Sequence, residues 1–440
     1  MTDPERTVSG GGRFVGISAK PADLLRFVLS SRVEIAAIAI KLASAFFSFL
    51  IVFIVARVSG ASVTGNYALA LSTSNLLALV AMLGLDQIVT RAIGGDLREG
   101  RPDLARAAIM AALRLVAPFA ALLVVLAYLA APFATYIAAP PDAIRAIALS
   151  ILAFPLLRLA VVSLRASGAI FWSQLFDGAH SFLVLTTIGC LLLLSDSAID
   201  SVLLAAIYSG SVAASMIAAW SMLRNRTREW PVGSANVSPM LTRSWPILVA
   251  GLGHAFVTWF VLAYIGAVMD SGEVGAFRVA SQVVTLIAIM MTTIESLVNP
   301  QFAGDFRVKD IGGAWRRHRR TTAIMLLVSS IPVAVCLIIP AQILGLFGPE
   351  FVVAKNALFI LALGQFVNVL TGPIGGVMVM SGYEGLSLLL SVAGLIVALV
   401  VSLALTPVFG LIGAACAISG AMVTRNLAAF AILRYRLRPQ

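Results

Sequence analysis

Along this chain of 440 residues, apolar stretches of roughly 20 to 26 residues recur about twelve times, each long enough to cross about 30 Å of hydrocarbon at about 1.5 Å per residue. Nothing else in the sequence limits the fold as much. Hydrophobic residues make up 60% and charged residues 12%, against about 25% charged in a typical soluble domain. The chain therefore reads as all-α, a polytopic membrane protein. Run length and the breaks set by Gly, Pro and charge predict spans at Val33–Ala56, Asn66–Thr90, Ala107–Leu129, Ile144–Ala166, Phe171–Leu194 and Ile199–Leu223. A second set follows at Ser244–Met269, Val274–Val298, Thr321–Ile343, Asn356–Met380, Leu386–Thr406 and Leu411–Leu433. The expected organisation is an amino-terminal segment (1–32), a six-helix bundle (33–223), a polar linker (224–242), a second six-helix bundle (243–435) and a short tail (436–440).

The basic residues orient these spans. Between Arg307 and Arg320, six of fourteen residues are Lys or Arg, and the run lies between two apolar stretches, so it reads as a cytoplasmic loop. With the amino terminus inside, the segments assigned to the cytoplasm hold 23 Lys and Arg, whereas those assigned outside hold three, Arg57, Arg145 and Lys355. An even number of spans places both termini in the cytoplasm. No cleavable leader is expected, because the first thirty or so residues are polar and lack a short apolar core. The net charge of +11 is topology-setting. The basic residues are spread over short loops without an interleaved aromatic platform, which argues against a nucleic-acid partner.

Cys190, Cys336 and Cys416 fall within apolar spans far apart in sequence and read as small hydrophobes. Only three His are present, with no paired Cys/His spacing, so no metal site or cofactor is expected.

The two halves resemble each other. Gly65, Tyr67, Ala70 and Gly94 match Gly275, Phe277, Ala280 and Gly304 at an offset of 210, and an offset of 214 aligns Pro118 with Pro332 and Ser167–Gly168 with Ser381–Gly382. Halves with even span numbers start on the same side, which implies parallel repeats about an axis along the membrane normal and a binding site between them. Pro118, Pro155, Pro332 and Pro373 fall inside predicted spans, where ordinary packing and a hinge role are both open.

Charges inside the spans point to chemistry, since each costs about 2.5 to 3.5 kcal/mol on insertion scales unless it finds a partner or a wet cavity. Lys41, Asp86, Arg114, Arg158, Asp177 and His180 lie on five helices of the first half, at a depth of about 7 to 13 Å from the cytoplasmic face. The second half has His254, Arg278, Glu295 and Arg425. Five cations (Lys41, Arg114, Arg158, Arg278, Arg425) thus face three anions (Asp86, Asp177, Glu295), and an unpaired cation in a low-dielectric cavity favours an anionic ligand. Arg114 and Arg158 read as cavity cations. For Lys41, Arg278 and Arg425, snorkelling to an interface is equally open. Asp86 and Asp177 read as partners of the cations. His180 and His254 read as packed or hydrogen-bonded, with proton relay the alternative, and Asp177, His254 and Glu295 leave room for ion coupling.

The stretch ARVSGASVTGNYALALSTSNLLALVAMLGLDQIVTR, from Ala56 to Arg91, resembles the first hairpin of polysaccharide repeat-unit flippases of the Wzx type, within the superfamily of multidrug, oligosaccharidyl-lipid and polysaccharide exporters. GPEFVVAKNALFILALGQFVNVLTGP from Gly348 to Pro373, the Ser381–Gly382 pair and TPVFGLIGAACA from Thr406 to Ala417 extend the resemblance over most of the chain. It implies a two-lobed bundle working by alternating access in a bacterial plasma membrane. Its substrate would be an undecaprenyl-diphosphate-linked oligosaccharide for O-antigen, capsule or exopolysaccharide. Polymerase and chain-length or export proteins are the partners it implies. The cationic surplus fits a diphosphate independently. A multidrug/cation antiporter is the nearest alternative and should show an acidic cavity. A membrane glycosyltransferase or ligase would need large outer loops, whereas Ser195–Ile199 and Asp270–Glu273 are short, so no catalytic residues are expected.

Overall fold

A computed structural model describes residues 32–194, 199–233 and 238–436. The expected segment 1–32 and most of the tail lie outside these residues, except Arg32. The first helix, α1 (Arg32–Ala81), contains an apolar run of 43 residues from Ala39 to Ala81, about twice the length one crossing needs. It is folded at Gly60, whose φ of 78° and ψ of 179° only glycine adopts without strain, and so supplies two crossings. Among the described residues, eleven helices are long and apolar enough to span a bilayer. With α1 counted twice, the described residues supply twelve segments fit to cross.

The remaining first-half helices are α2 (Leu85–Arg98), α3 (Pro102–Ala130), α4 (Pro141–Ala166), α5 (Ile170–Leu194) and α6 (Ser201–Thr227). The second half runs through α7 (Ser238–Val268), α8 (Ser271–Arg307), α9 (Ile311–Ile338), α10 (Pro340–Gly345), α11 (Lys355–Thr371), α12 (Ile374–Met380), α13 (Glu384–Phe409) and α14 (Leu411–Arg436). Local chemistry sets several starts. Asp200, Asp270 and Asp310 accept N–H bonds from Leu203, Glu273 and Gly313 at 2.7, 3.0 and 2.7 Å, capping α6, α8 and α9. Pro102 and Pro141 occupy the first turns of α3 and α4, where a missing N–H costs nothing.

Three expectations are corrected. The second crossing does not continue to Thr90. Leu83 and Gly84 both turn left-handed (φ 54° and 69°), and α2 restarts with Leu85, Val89 and Ile93 buried on one face. The basic run is not a loop: α8 extends to Arg307, a turn through Val308 and Lys309 (φ 59°) follows, and α9 starts at Ile311. Arg is a good helix former, and the Arg317 guanidinium holds Asp305 at 2.7 Å and also meets Gln301, tying the two helix ends together. The tenth crossing breaks at Gly372 (φ 65°), with Pro373 at the N-cap of α12. Pro118, Pro155 and Pro332 stay within their helices.

The repeat is present in the backbone. Ser167 and Ser381 end α4 and α12 with φ of −83° and −87°, and the glycines that follow have φ of 84° and 83°. The bundle has a basic end, carrying the Arg-rich connections, and a short-loop end. At the short-loop end the lobes meet on equivalent glycines. A Cβ on Gly65 would lie 2.8 Å from the Gly275 nitrogen and collide with the Ser271 carbonyl; a Cβ on Gly275 would lie 3.0 Å from the Gly65 nitrogen and collide with the Ala61 carbonyl. Beside this contact the hydroxyls of Ser62 and Ser271 lie 2.7 Å apart.

Phe347, 2% exposed, is buried at the same end with its ring edge-on to Phe49 (5.9 Å) and Phe53 (5.2 Å) of α1. Glu350 accepts the Ala61 N–H at 3.1 Å, across the lobes. One hydrophobic core runs through both lobes here, whereas Val298, Phe302, Ile374, Val377, Met378 and Leu433 form a separate cluster at the basic end of the second lobe. The lobes are thus packed together at the short-loop end and divided toward the basic end, apart from α7, whose Ser244 carbonyl lies against Gly84.

Candidate functional site

The described residues line an open cavity of about 380 Å³ in the first lobe, bounded on one side by α8 of the second. Helical spacing builds it. Tyr67, Leu71, Asn75 and Ala78 fall on one stripe of α1, which Met82 continues in the turn after it, and the i, i+4 pairs Phe154/Arg158 of α4 and Gln282/Arg278 of α8 face it from other sides. His180 and Ser181 of α5, Ser48 of α1 and Tyr208 of α6 complete the polar lining.

Two guanidiniums therefore share one volume, one from each lobe. Arg158 Nη2 lies 3.3 Å from Asp86 Oδ2, and Asp86 also accepts the Gln87 N–H at 2.9 Å in the first turn of α2, where a carboxylate suits the helix dipole. Arg278 is partly buried beside the Tyr67 phenol, with no carboxylate in ion-pair reach among the described residues. No acidic side chain among the described residues lines the cavity. Tyr208 Oη donates to Asn75 Oδ1 at 3.5 Å, and the Ser48 and Ser181 hydroxyls lie 3.1 Å apart. The His180 ring stands edge-on to Phe154 and Tyr208 at 6.1 and 6.0 Å, and its buried Nδ1 has no hydrogen-bond partner among the described residues. Such a site offers an anion a forked donor at Arg278, beside Tyr67, and another at Arg158, beside Asp86, with several neutral donors in the same lining.

Of the charged candidates, Arg158, Arg278 and His180 line this cavity, Asp86 pairs with Arg158, and the others lie outside the lining. Arg114 is exposed on the outer face of α3 with Pro118, Ala121, Leu122 and Val125 and lines no cavity described here, which corrects its pairing with Arg158. Lys41 is likewise exposed. Asp177 is exposed and sits 3.9 Å from Arg165; it neighbours His180 one turn along α5 but neither cavity arginine. Arg425 lines a smaller cavity of about 120 Å³ in the second lobe, where Nε donates to Asn426 Oδ1 at 3.3 Å and Glu295 is its acidic neighbour. Asn426 bonds Asn368, which bonds Gln365, so a polar thread crosses α11 and α14. The side chain of His254 lies outside the described ones. Tyr67, Asn75, Tyr208 and Gln282 were missed because they are neutral, although the 67/71/75/78/82 stripe is legible at helical spacing.

Residues 34–303 match the family model described as "Polysaccharide biosynthesis protein". The chain belongs to the polysaccharide biosynthesis protein family. Among curated relatives of this family member is the "Probable low-salt glycan biosynthesis flippase Agl15" of Haloferax volcanii, 26% identical over 244 residues, which are 53% of this chain and 49% of that protein. The chain thus spans about half the length of the relative it matches. In fold, the family member is similar to an inward-facing multidrug resistance MATE family transporter of the MOP superfamily (TM-score 0.73, 14% identity, 92% of this chain and 98% of that one). Lipid II flippase MurJ in an inward closed conformation matches with a TM-score of 0.73 at 11% identity, over 91% of this chain and 87% of that one. An outward-facing MATE family transporter matches at 0.64 and 14% identity, over 95% and 98%. The family member is therefore a multi-pass membrane protein with the two-lobed fold of these transporters.

Proposed function

We propose that this chain is a flippase that carries undecaprenyl-diphosphate-linked oligosaccharide units from the cytoplasmic to the outer leaflet of a bacterial plasma membrane for polysaccharide biosynthesis, by alternating access and without chemical catalysis. The observation that carries this reading is Arg278, which enters the first lobe's cavity from the second lobe, a cavity that Arg158 also lines, with no carboxylate in the lining among the described residues. An anionic headgroup held by Arg278 against the first lobe's lining would couple ligand binding to lobe position. At about 380 Å³ the cavity suits a diphosphate and its first sugar rather than a whole oligosaccharide. A carrier for organic cations would need acidic lining, which the described residues lack. The same site favours the lipid-linked reading over the antiporter one. Translocation of a short-chain polyprenyl-diphosphate sugar in proteoliposomes tests it; a protein that moves organic cations but no such lipid would defeat the proposal.

In this reading the basic end faces the cytoplasm, with both termini inside. Single cysteines at Arg319 and at Arg228 should label only from the cytoplasm, and cysteines at Ser271 and Gly348 only from outside. Labelling of both sets from one face would overturn the orientation.

The driving force follows from charge. A carrier diphosphate brings about two negative charges, so outward flipping down an inside-negative potential of about 100 mV could gain up to about 4 to 5 kcal/mol. Ion coupling through Asp177, His254 or Glu295 is the competing mechanism. A potassium-diffusion potential imposed at equal pH without sodium should accelerate flipping. Transport that ignores the potential and follows an imposed proton gradient would refute the electrogenic mechanism.

A further inference from the structure

A second large concavity lies on the outer flank of the first lobe, away from the cavity just described. It is a groove of about 1160 Å³ between α3 and α6, floored by Leu156 of α4. Leu156 and the cavity residues Phe154 and Arg158 lie on opposite faces of α4, two residues apart, so α4 separates groove from cavity. The groove has a gradient along its length. At the basic end it is lined by Arg106 near the start of α3 and by Arg224 and Arg228 at the end of α6. Met110 and Leu113 lie about 6 and 10 Å deeper along α3, and Trp220 and Met216 about 6 and 12 Å deeper along α6. No carboxylate lines the groove, and none of the three arginines makes an ion pair among the described residues.

Two hydrogen bonds shape it further. Trp220 Nε1 donates to the Leu156 carbonyl at 2.9 Å, which holds the indole as wall rather than as a ligand donor. Arg106 Nη1 donates to the Trp230 carbonyl at 2.5 Å, which positions its fork and leaves its other N–H groups available. Basic residues placed only to set topology would be dispersed along the surface. Here three converge on one volume that continues into an apolar trough, with Ile217 64% exposed at its lip. Basic pockets between membrane helices recognise anionic lipid headgroups in this way.

We propose that the groove binds an anionic glycerophospholipid of the adjacent leaflet, its phosphate held by Arg106, Arg224 and Arg228 and an acyl chain laid along Met110, Leu113 and Met216. The ligand is a resident lipid, distinct from the transported one. Native mass spectrometry of the delipidated full chain, offered phosphatidylglycerol or phosphatidylcholine of identical acyl chains, tests it. Phosphatidylglycerol should be retained in preference. The double variant Arg224→Gln/Arg228→Gln, which leaves the Arg106 contact intact, should lower that retention about fivefold per guanidinium, hence about 25-fold. Met216→Trp should weaken it with no change of charge. A control removing two other exposed cations of the same end, Arg307→Gln/Arg319→Gln, should leave it unchanged. Equal retention of the two lipids, an equal loss in the control, or displacement by millimolar inorganic phosphate would overturn the proposal, the last by pointing to a free anion instead.

Discussion

Arg278→Ala should cut lipid-diphosphate translocation at low substrate in proteoliposomes about 10- to 100-fold while the protein reaches the membrane at its normal level. The guanidinium is partly buried, lacks a carboxylate partner among the described residues, and comes from the opposite lobe to the rest of the cavity wall. Its removal leaves no native ion pair broken, so the loss should fall on ligand and not on folding. Charge-assisted hydrogen bonds of this kind contribute about 1.5 to 3 kcal/mol, which corresponds to about a 10- to 100-fold loss in apparent affinity. Arg278→Lys should recover part of the activity, because an ammonium keeps the charge without the planar fork. Arg158→Ala should be similarly damaging, though it also frees Asp86. Arg114→Ala, on the outer face of α3, should transport normally. Export that survives Arg278→Ala and fails with Arg114→Ala would place the anion site elsewhere.

A disulfide between Ser62→Cys and Ser271→Cys should stop transport completely and reversibly. The native hydroxyls are 2.7 Å apart across the lobes, within reach of a sulfur–sulfur bond, in a background where Cys190, Cys336 and Cys416 are replaced by Ala. Alternating access requires the short-loop end to part, and a covalent link there holds it shut. A reductant should restore flipping. Gly65→Val should have the opposite structural effect, because its side chain collides with the Ser271 carbonyl and wedges the lobes apart at that end. It should make cysteines near Ser62 reactive from the short-loop side. Full transport by the oxidised double-cysteine protein would show that this end need not open.

Much of this architecture was legible in the residues. Apolar run length yields the twelve crossings, because a hydrocarbon slab of fixed thickness sets helix length directly. The repeat was legible too: Gly65 and Gly275, matched by offset alone, turn out to touch, and the Ser167–Gly168 and Ser381–Gly382 turns have the same backbone angles. The site was half legible. Depth along a helix follows from position, but the direction a side chain points depends on which stripe its neighbours bury. Arg158 and Arg114 were placed at similar depth, yet α4 turns Arg158 to the cavity and α3 turns Arg114 outward. Asp177 failed in the same way, meeting Arg165 instead. Arg278, read as a cation near the outer face of the other half, lines the same cavity as Arg158 only because the lobes close there, a tertiary fact with no local signal.

The meeting of Gly65 with Gly275 ties the two repeats together during divergence. Each glycine is the steric environment of its own counterpart, so the pair behaves as one heritable unit in two places. A methyl tolerated at either site would have to be matched by retreat of the backbone at the other, since each would strike the carbonyl four residues before its partner. The halves are free to drift apart almost everywhere else: Arg278 stands where the first half, at the same offset, has Ala68. At this one point neither half can change without the other's consent, and substitutions there should show strong epistasis across 210 residues of chain.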